Sequence, residues 1–292
     1  MIRGIFAPIP TPFKDDNIDY NALKNNLALW AETPLTGVVV LGSNGEFAYL
    51  TQKEKVQLIA FVRENLPDSK QVIAGTGCES TIETIELTRK AADLGCDASL
   101  ILTPHYYKGA MSDKALKKYF RDVADACETR IMLYNMPRNA GLNLSSDTVI
   151  TLASHQNIAG IKDSSGNIVQ IAEICANTPD DFAVFAGSGS FLLPSLAVGA
   201  VGGTLAVANI MPAVCVELMN RFNEGDLTGA KKLQHLLLEP NKAVTAKYGI
   251  AGLKAALDII GYKGGEVRRP MLPAGTEVIS EIKQILKRAQ VI

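Results

Sequence analysis

Lys162 stands near the end of an apolar run, Ile158–Asp163 (IAGIKD). Buried lysine is rare unless it is paired or put to use. At the unperturbed pKa of about 10.4, only about 1 lysine in 2500 is neutral at pH 7. Desolvation of such an amine to about 7–8 raises its nucleophilic fraction by roughly two to three orders of magnitude. The chemistry this opens is a Schiff base with a carbonyl substrate. The plainer alternative is an ion pair with Asp163 or another neighbour at a rim. Tyr134 closes the preceding apolar run, IMLYN. A phenol both donates and accepts, as the formation and dehydration of a carbinolamine require. An ordinary amphipathic tyrosine at a strand end is the competing reading.

Two further segments have the composition of substrate-binding turns. In Gly42-Ser43-Asn44-Gly45-Glu46 two glycines permit a tight turn, and Ser43 and Asn44 bring donors. Loop amides just ahead of a helix suit a carboxylate. Glu46 could equally cap backbone amides. Gly187-Ser188-Gly189-Ser190 and Gly199–Gly203 flank two later strands, which makes Gly187 and the nearby Thr204 candidate substrate contacts. Neither a Walker nor a Rossmann glycine pattern occurs. The three histidines, His105, His155 and His235, lack metal-type spacing, and His155 and His235 read as helix-surface residues. The five cysteines lie far apart with no C-x-x-C pair, which favours apolar thiols over a disulfide framework or a zinc site. The electrophile would then be an iminium, with no metal and no cofactor.

Something must bring these residues to one place, and the chain offers repeated βα units. Near-continuously apolar strands are expected at Gly4–Pro8, Gly37–Leu41, Gln71–Gly75, Ala98–Thr103, Arg130–Asn135, Ile158–Asp163, Phe182–Gly187 and Gly203–Ala208. Helical patterns intervene at Tyr20–Glu32, Gln52–Asn65, Thr81–Leu94, Asp113–Cys127, Ser146–Ala153, Ile168–Ala176, Phe191–Val198 and Pro212–Asn223. Thr51 with Glu54 forms a capping box, Ser80 with Glu83 caps the third helix, and Ser112 caps the fourth. Strand starts fall about 21–34 residues apart, one βα unit each. Eight units predict a (β/α)₈ TIM barrel over residues 1–224, with the chemistry at the C-terminal ends of its strands. An open doubly wound sheet is the runner-up. Leu227–Lys247, Gly249–Ile260 and Thr276–Ala289 read as a C-terminal helical region over 225–292, packed on the barrel.

Composition narrows the class. The 292 residues are 47% hydrophobic and 20% charged, with a formal net charge of −1. That balance excludes a strongly basic nucleic-acid binder and a polybasic membrane clamp. No apolar run approaches the roughly 20 residues of a membrane span. The opening MIRGIFAPIPTPF has no signal-peptide layout. The expectation is a cytoplasmic enzyme of small molecules, with neither nucleic-acid nor membrane partners.

Taken together and in order, these pieces resemble the pyruvate-dependent class I aldolases that include dihydrodipicolinate synthase and N-acetylneuraminate lyase. The matching segments are PIPTPF near the start, GSNGE at 42–46, TPHYY at 103–107, YNMP at 134–137, GIKDSSG at 160–166, FAGSG at 185–189 and RRPMLP at 268–273. The resemblance spans essentially the whole chain. It implies a Schiff base between Lys162 and pyruvate or another 2-oxo acid, with Tyr134 as proton shuttle. Ser43 and Asn44 would hold the substrate carboxylate. Tyr106 would enter a neighbouring subunit's site, with Tyr107 left open as the alternative, so that a homo-oligomer, a dimer of dimers, is implied.

Two departures bear on the substrate. Ser43-Asn44 replaces the Thr-Thr of the synthases. Asn139 occupies the position at which they carry an arginine for the second substrate's carboxylate, and Arg138 lies one residue early. N-acetylneuraminate lyases also lack that arginine, but typically lack the Asp-Ser-Ser that follows the lysine here. Within the family the chain is most similar to 4-hydroxy-2-oxoglutarate aldolases, through GSNGEF, GCEST at 77–81, and KLQHLLLEPNKAVTAKYGIAGLK at 232–254. Much of that last stretch reads as lying away from the chemistry. Cleavage of 4-hydroxy-2-oxoglutarate to pyruvate and glyoxylate is therefore the leading expectation, with Arg138 or Asn139 on the distal carboxylate. Condensation of pyruvate with aspartate semialdehyde is the alternative. A barrel that binds a keto acid or sugar acid without turnover is the reading of another class.

Overall fold

The computed structural model describes residues 2–292. Eight parallel strands close into a barrel: β1 Gly4–Pro8, β2 Gly37–Val40, β3 Gln71–Gly75, β4 Ala98–Leu102, β5 Ile131–Asn135, β6 Ile158–Asp163, β7 Ala183–Ala186 and β8 Gly202–Thr204. β1 pairs with both β2 and β8, so no strand is left as an edge. A TIM barrel with a C-terminal helical extension is the architecture. At the closing seam a Cβ on Gly202 would lie 2.1 Å from the Gly4 carbonyl oxygen, so only glycine lets β8 approach β1.

The strands are apolar on both faces because both are covered. Phe6, Val39, Ile73, Leu100, Met132 and Phe185 fill the inside, where the Phe6 and Phe185 rings meet edge to face at 5.8 Å. Outward residues such as Leu133 and Ile161 pack under the helices. Those helices are α1 Tyr20–Ala31, α2 Gln52–Glu64, α3 Thr81–Asp93, α4 Asp113–Ala126, α5 Ser146–Leu152, α6 Ile168–Asn177, α7 Leu192–Ala197 and α8 Pro212–Asn223. Thr51 and Glu54 form the expected capping box, and Ser80 and Ser112 accept the expected amides.

Departures from the sequence reading have local causes. β8 stops at Thr204, not Ala208, because the chain coils into a 3-10 turn at Ala206–Asn209, where the Asn209 amide donates to the Pro8 and Ala206 carbonyls. His155 is not on a helix. It sits in the turn between α5 and β6, with Nε2 3.0 Å from Asp125 Oδ1 and Nδ1 accepting the Asn157 amide. A short hairpin, Phe13–Lys14 with Asn17–Ile18, follows β1 and was not expected. Its turn residues Asp15 and Asp16 both have positive φ, the hairpin geometry usually signalled by Asn-Gly.

The tail comprises α9 Leu227–Lys242, a π turn Ala243–Lys247, α10 Gly249–Ile259 and α11 Thr276–Arg288. The π turn follows Pro240, which has no amide to continue the helical ladder, so the uninterrupted helix expected to Lys247 ends early. The tail is tied to the mouth loops of the barrel. Asn241 Oδ1 accepts the Gly189 amide, and its Nδ2 donates to Ser188 and Ser190. Gln234 bridges the Gly189 carbonyl and the Leu193 amide. No helix among the described residues is long and apolar enough to cross a membrane.

Candidate active site

β5 and β6 pair with Tyr134 opposite Lys162 and Asn135 opposite Asp163. Alternation along a strand then sends Tyr134 and Lys162 inward and Asn135 and Asp163 outward. Lys162 is 3% exposed and its Nζ lies 4.3 Å from the centre of the Tyr134 ring. The rim ion pair with Asp163 does not form. Asp163 is wholly engaged elsewhere: Oδ1 accepts the Ser165 amide and hydroxyl, and Oδ2 accepts from Asn135 and Gln170. Asn143 completes this outer network through Asn135 and Gln170. The network clamps the ends of β5 and β6 from outside while the two reactive side chains stay within.

The Tyr134 hydroxyl is 3.4 Å from Ser43 Oγ, which joins the second βα turn to the lysine. That turn is built under strain. Leu41 and Glu46, on either side of Gly42–Gly45, both adopt left-handed backbone with φ of 59° and 58°. Such geometry is unfavourable for bulky side chains and persists only where the surroundings enforce it. The surroundings do so here. Thr11 Oγ1 donates to the Gly45 carbonyl, and Asn44 Nδ2 to the Pro8 carbonyl. Glu46 Oε2 accepts the Arg268 amide, the capping role open to it in the sequence. A small cavity bordered by Leu41, Ser43, Phe47, Leu102 and Tyr134 opens beside the hydroxyl.

Gly187 follows β7 directly and its amide donates to the Asp163 carbonyl. A Cβ there would lie 2.7 Å from the Asp163 carbonyl oxygen and 2.8 Å from Ser164 Cα, backbone atoms that cannot turn aside, so the position requires glycine. Thr204 ends β8, buried and paired with Phe6 of β1. Arg138 turns away toward the tail, where Nη2 donates to the Ala246 carbonyl at 3.4 Å, and Asn139 is exposed on the one-turn helix Pro137–Ala140. Tyr106 and Tyr107 are 76% and 72% exposed, their rings edge to face at 5.0 Å. Glu79 braces their loop by accepting the His105 and Tyr106 amides and pairing with the His105 ring.

Sequence reasoning missed three residues that reach these loops, Gln234, Asn241 and Lys254, all within the 232–254 stretch read as remote. The available signal was Lys254 itself, a lone lysine in the apolar helix GIAGLKAALDI. No group of three or more His, Cys, Asp or Glu side chains among the described residues is arranged to hold a metal.

The dihydrodipicolinate synthetase family model matches residues 1–289. The chain belongs to that family. A 4-hydroxy-tetrahydrodipicolinate synthase of Methanothrix thermoacetophila is 37% identical, over 99% of this chain and 97% of the relative. A probable mitochondrial 4-hydroxy-2-oxoglutarate aldolase of Emericella nidulans is 35% identical, over 97% and 94%. The crystal structure of a chloride-inhibited dihydrodipicolinate synthase from Acinetobacter baumannii, complexed with pyruvate, superposes with a TM-score of 0.94 at 29% identity, over 99% of both chains. Members of this family are lyases or aldolases, so the chain is an enzyme and the reading as a barrel without turnover is set aside.

Proposed function

We propose that the enzyme joins pyruvate to an aldehyde, or releases it from an aldol, through a Schiff base on Lys162. The observation that carries this reading is the buried Lys162 amine over the Tyr134 ring, with Asp163 committed to other partners. The neutral amine adds to the C2 ketone, and the oxygen takes up a proton to give a carbinolamine. Loss of water leaves the iminium. Loss of a C3 proton to a base gives the enamine, whose C3 attacks the aldehyde carbon while the aldehyde oxygen is protonated. Water, or the amino group of an amino-aldehyde substrate, then adds to C2 of the new iminium, and the Lys162 amine leaves with a proton; attack by the amino group closes a ring. Tyr134 carries protons in the dehydration and hydrolysis steps, and Ser43 and Asn44 hold the C1 carboxylate, which orients the iminium. Gly187 and Thr204 border the same site.

The second substrate is aspartate semialdehyde, and the activity that of a 4-hydroxy-tetrahydrodipicolinate synthase. This reverses the order in which the sequence placed the two activities, because synthases predominate among the similar proteins. The second reading, cleavage of 4-hydroxy-2-oxoglutarate, is favoured by the Emericella relative and by Asn139 standing where synthases carry arginine. Assay of pyruvate with each aldehyde separates them. A kcat/KM for aspartate semialdehyde at least tenfold above that for glyoxylate supports the synthase, and the opposite ratio restores the aldolase.

A homo-oligomer in the cytoplasm, a dimer of dimers in which Tyr106 or Tyr107 completes a neighbour's site, is part of this proposal. The solvent-facing ring pair supports it, since large aromatic surfaces are usually covered in use.

A further inference from the structure

Lys254 is buried in α10, 2% exposed, with Nζ 2.5 Å from Glu46 Oε1. The same amine donates to the Glu266 carbonyl at 2.5 Å and lies 4.6 Å from the centre of the Phe13 ring. The Glu46 side chain is fully buried, and its second oxygen accepts the Arg268 amide at 2.8 Å. Removing two opposite charges from water is costly, and an apolar pair in their place is often as stable or more so. A buried ion pair in a strained turn therefore calls for a role beyond stability. Here Glu46 ends the turn that carries Ser43 and Asn44, and Lys254 belongs to the tail.

We infer that the Glu46–Lys254 ion pair is a positioning device, through which the C-terminal helices hold the Ser43–Asn44 turn in the shape that receives the keto-acid carboxylate. The inference rests on the reading of Lys162 as the residue that bonds to pyruvate. It assigns Glu46 and Lys254 to substrate affinity more than to the rate of the chemical steps.

The pair has an electrostatic signature. Glu46 faces Lys254 from the turn after β2, Glu266 from the segment beyond α10, and Asp258 from one helical turn further along α10. Arg268 faces Glu46, and Lys263 faces Asp258. Burial pulls the Lys254 ammonium down to about 8, although Glu46 acts to hold it up. Above that pH the amine discharges and Glu46 loses its partner. The unfolded chain holds this proton to its ordinary value near 10.5, so between the two values it binds more protons than the folded chain. Lys254's contribution to global stability therefore rises with pH across that window. A loss of affinity there is not unfolding driven by this group.

The test measures the pyruvate concentration that half-saturates borohydride-trapped adduct on Lys162, at pH 7 and pH 9. It compares the wild type, Glu46→Gln and the double variant Glu46→Gln/Lys254→Met, each with a thermal melt. The double variant removes both charges at nearly constant volume and guards against a single variant that fails to fold. The expected half-saturation ratio of variant to wild type is about tenfold at pH 7 and falls toward one at pH 9, as the Lys254 ammonium discharges. Maximal adduct is expected to stay within about threefold. A folded variant with a ratio near one at pH 7 overturns the inference alone. A wild type that yields no adduct on Lys162 overturns the proposed function and this inference with it.

Discussion

The Tyr134 hydroxyl lies between two needs of the proposed reaction. It is 3.4 Å from Ser43 Oγ, and its ring sits under the Lys162 amine. Phenylalanine at 134 would keep the buried ring and lose only the proton carrier. Tyr134→Phe is expected to lower kcat by about 10²-fold or more, the usual cost of a lost proton-transfer group, with the melting temperature nearly unchanged. Near-normal turnover in a steady-state assay would assign the shuttle to another group. Both residues were visible in the sequence because a lysine and a tyrosine at the ends of successive apolar strands stand out against their neighbours. Lys254 was harder to see. Lysines are common on helices, and only its surroundings of Ala251, Gly252, Leu253, Ala255 and Ala256 mark it as buried.

At the scale of elements, the outer network at Asp163 holds the ends of β5 and β6 in register. Asp163→Ala would leave the buried amides of Asn135 and Gln170 short of an acceptor. Unsatisfied buried donors cost about 1–3 kcal/mol each, so a loss of roughly 2–4 kcal/mol is expected in urea unfolding. A loss below about 1 kcal/mol would show that water or a neighbour replaces the carboxylate. The start of α2 is joined to the tail by Arg268, whose guanidinium donates to both Glu54 oxygens. That pairing holds the Glu54 carboxyl down at about 2. Its stabilisation is present above the ordinary value of 4.5 and fades as pH falls through about 2. Arg268→Met is expected to flatten this part of the acid limb of stability against pH, measured by urea titrations between pH 5 and pH 2. An unchanged slope would remove Arg268 as the cause.

The elements themselves were largely legible, since strands buried on both faces and capped amphipathic helices both leave patterns in composition. What periodicity could not reveal depends on distant partners. β8 ends early because Asn209 reaches back to Pro8, and the π turn is set by Pro240 and the docking of Asn241 on the loop after β7.

For the whole molecule, the closed barrel places Ser43, Tyr134 and Lys162 in one mouth although 119 positions separate the first from the last. The tail covers that mouth from the side through Gln234, Asn241 and Lys254. In the proposed oligomer the exposed Tyr106–Tyr107 pair would be the surface that engages a second copy. Tyr106→Ala is expected to shift the sedimentation profile toward smaller species at micromolar concentration and to lower turnover. A variant with the wild-type profile and full activity would leave Tyr107 to be tested in the same way. The tyrosine pair was visible in the sequence as TPHYY, whereas its bracing by Glu79 was not, because that contact joins the loops of two different βα units.

The proposed reaction requires that one amine in this mouth bond covalently to pyruvate. Incubation with pyruvate and sodium borohydride, followed by intact mass and peptide mapping, tests it directly. A single reduced pyruvyl adduct per chain is expected, located on Lys162, absent without pyruvate and absent from Lys162→Ala. An unmodified Lys162, or an adduct on another lysine, would contradict it.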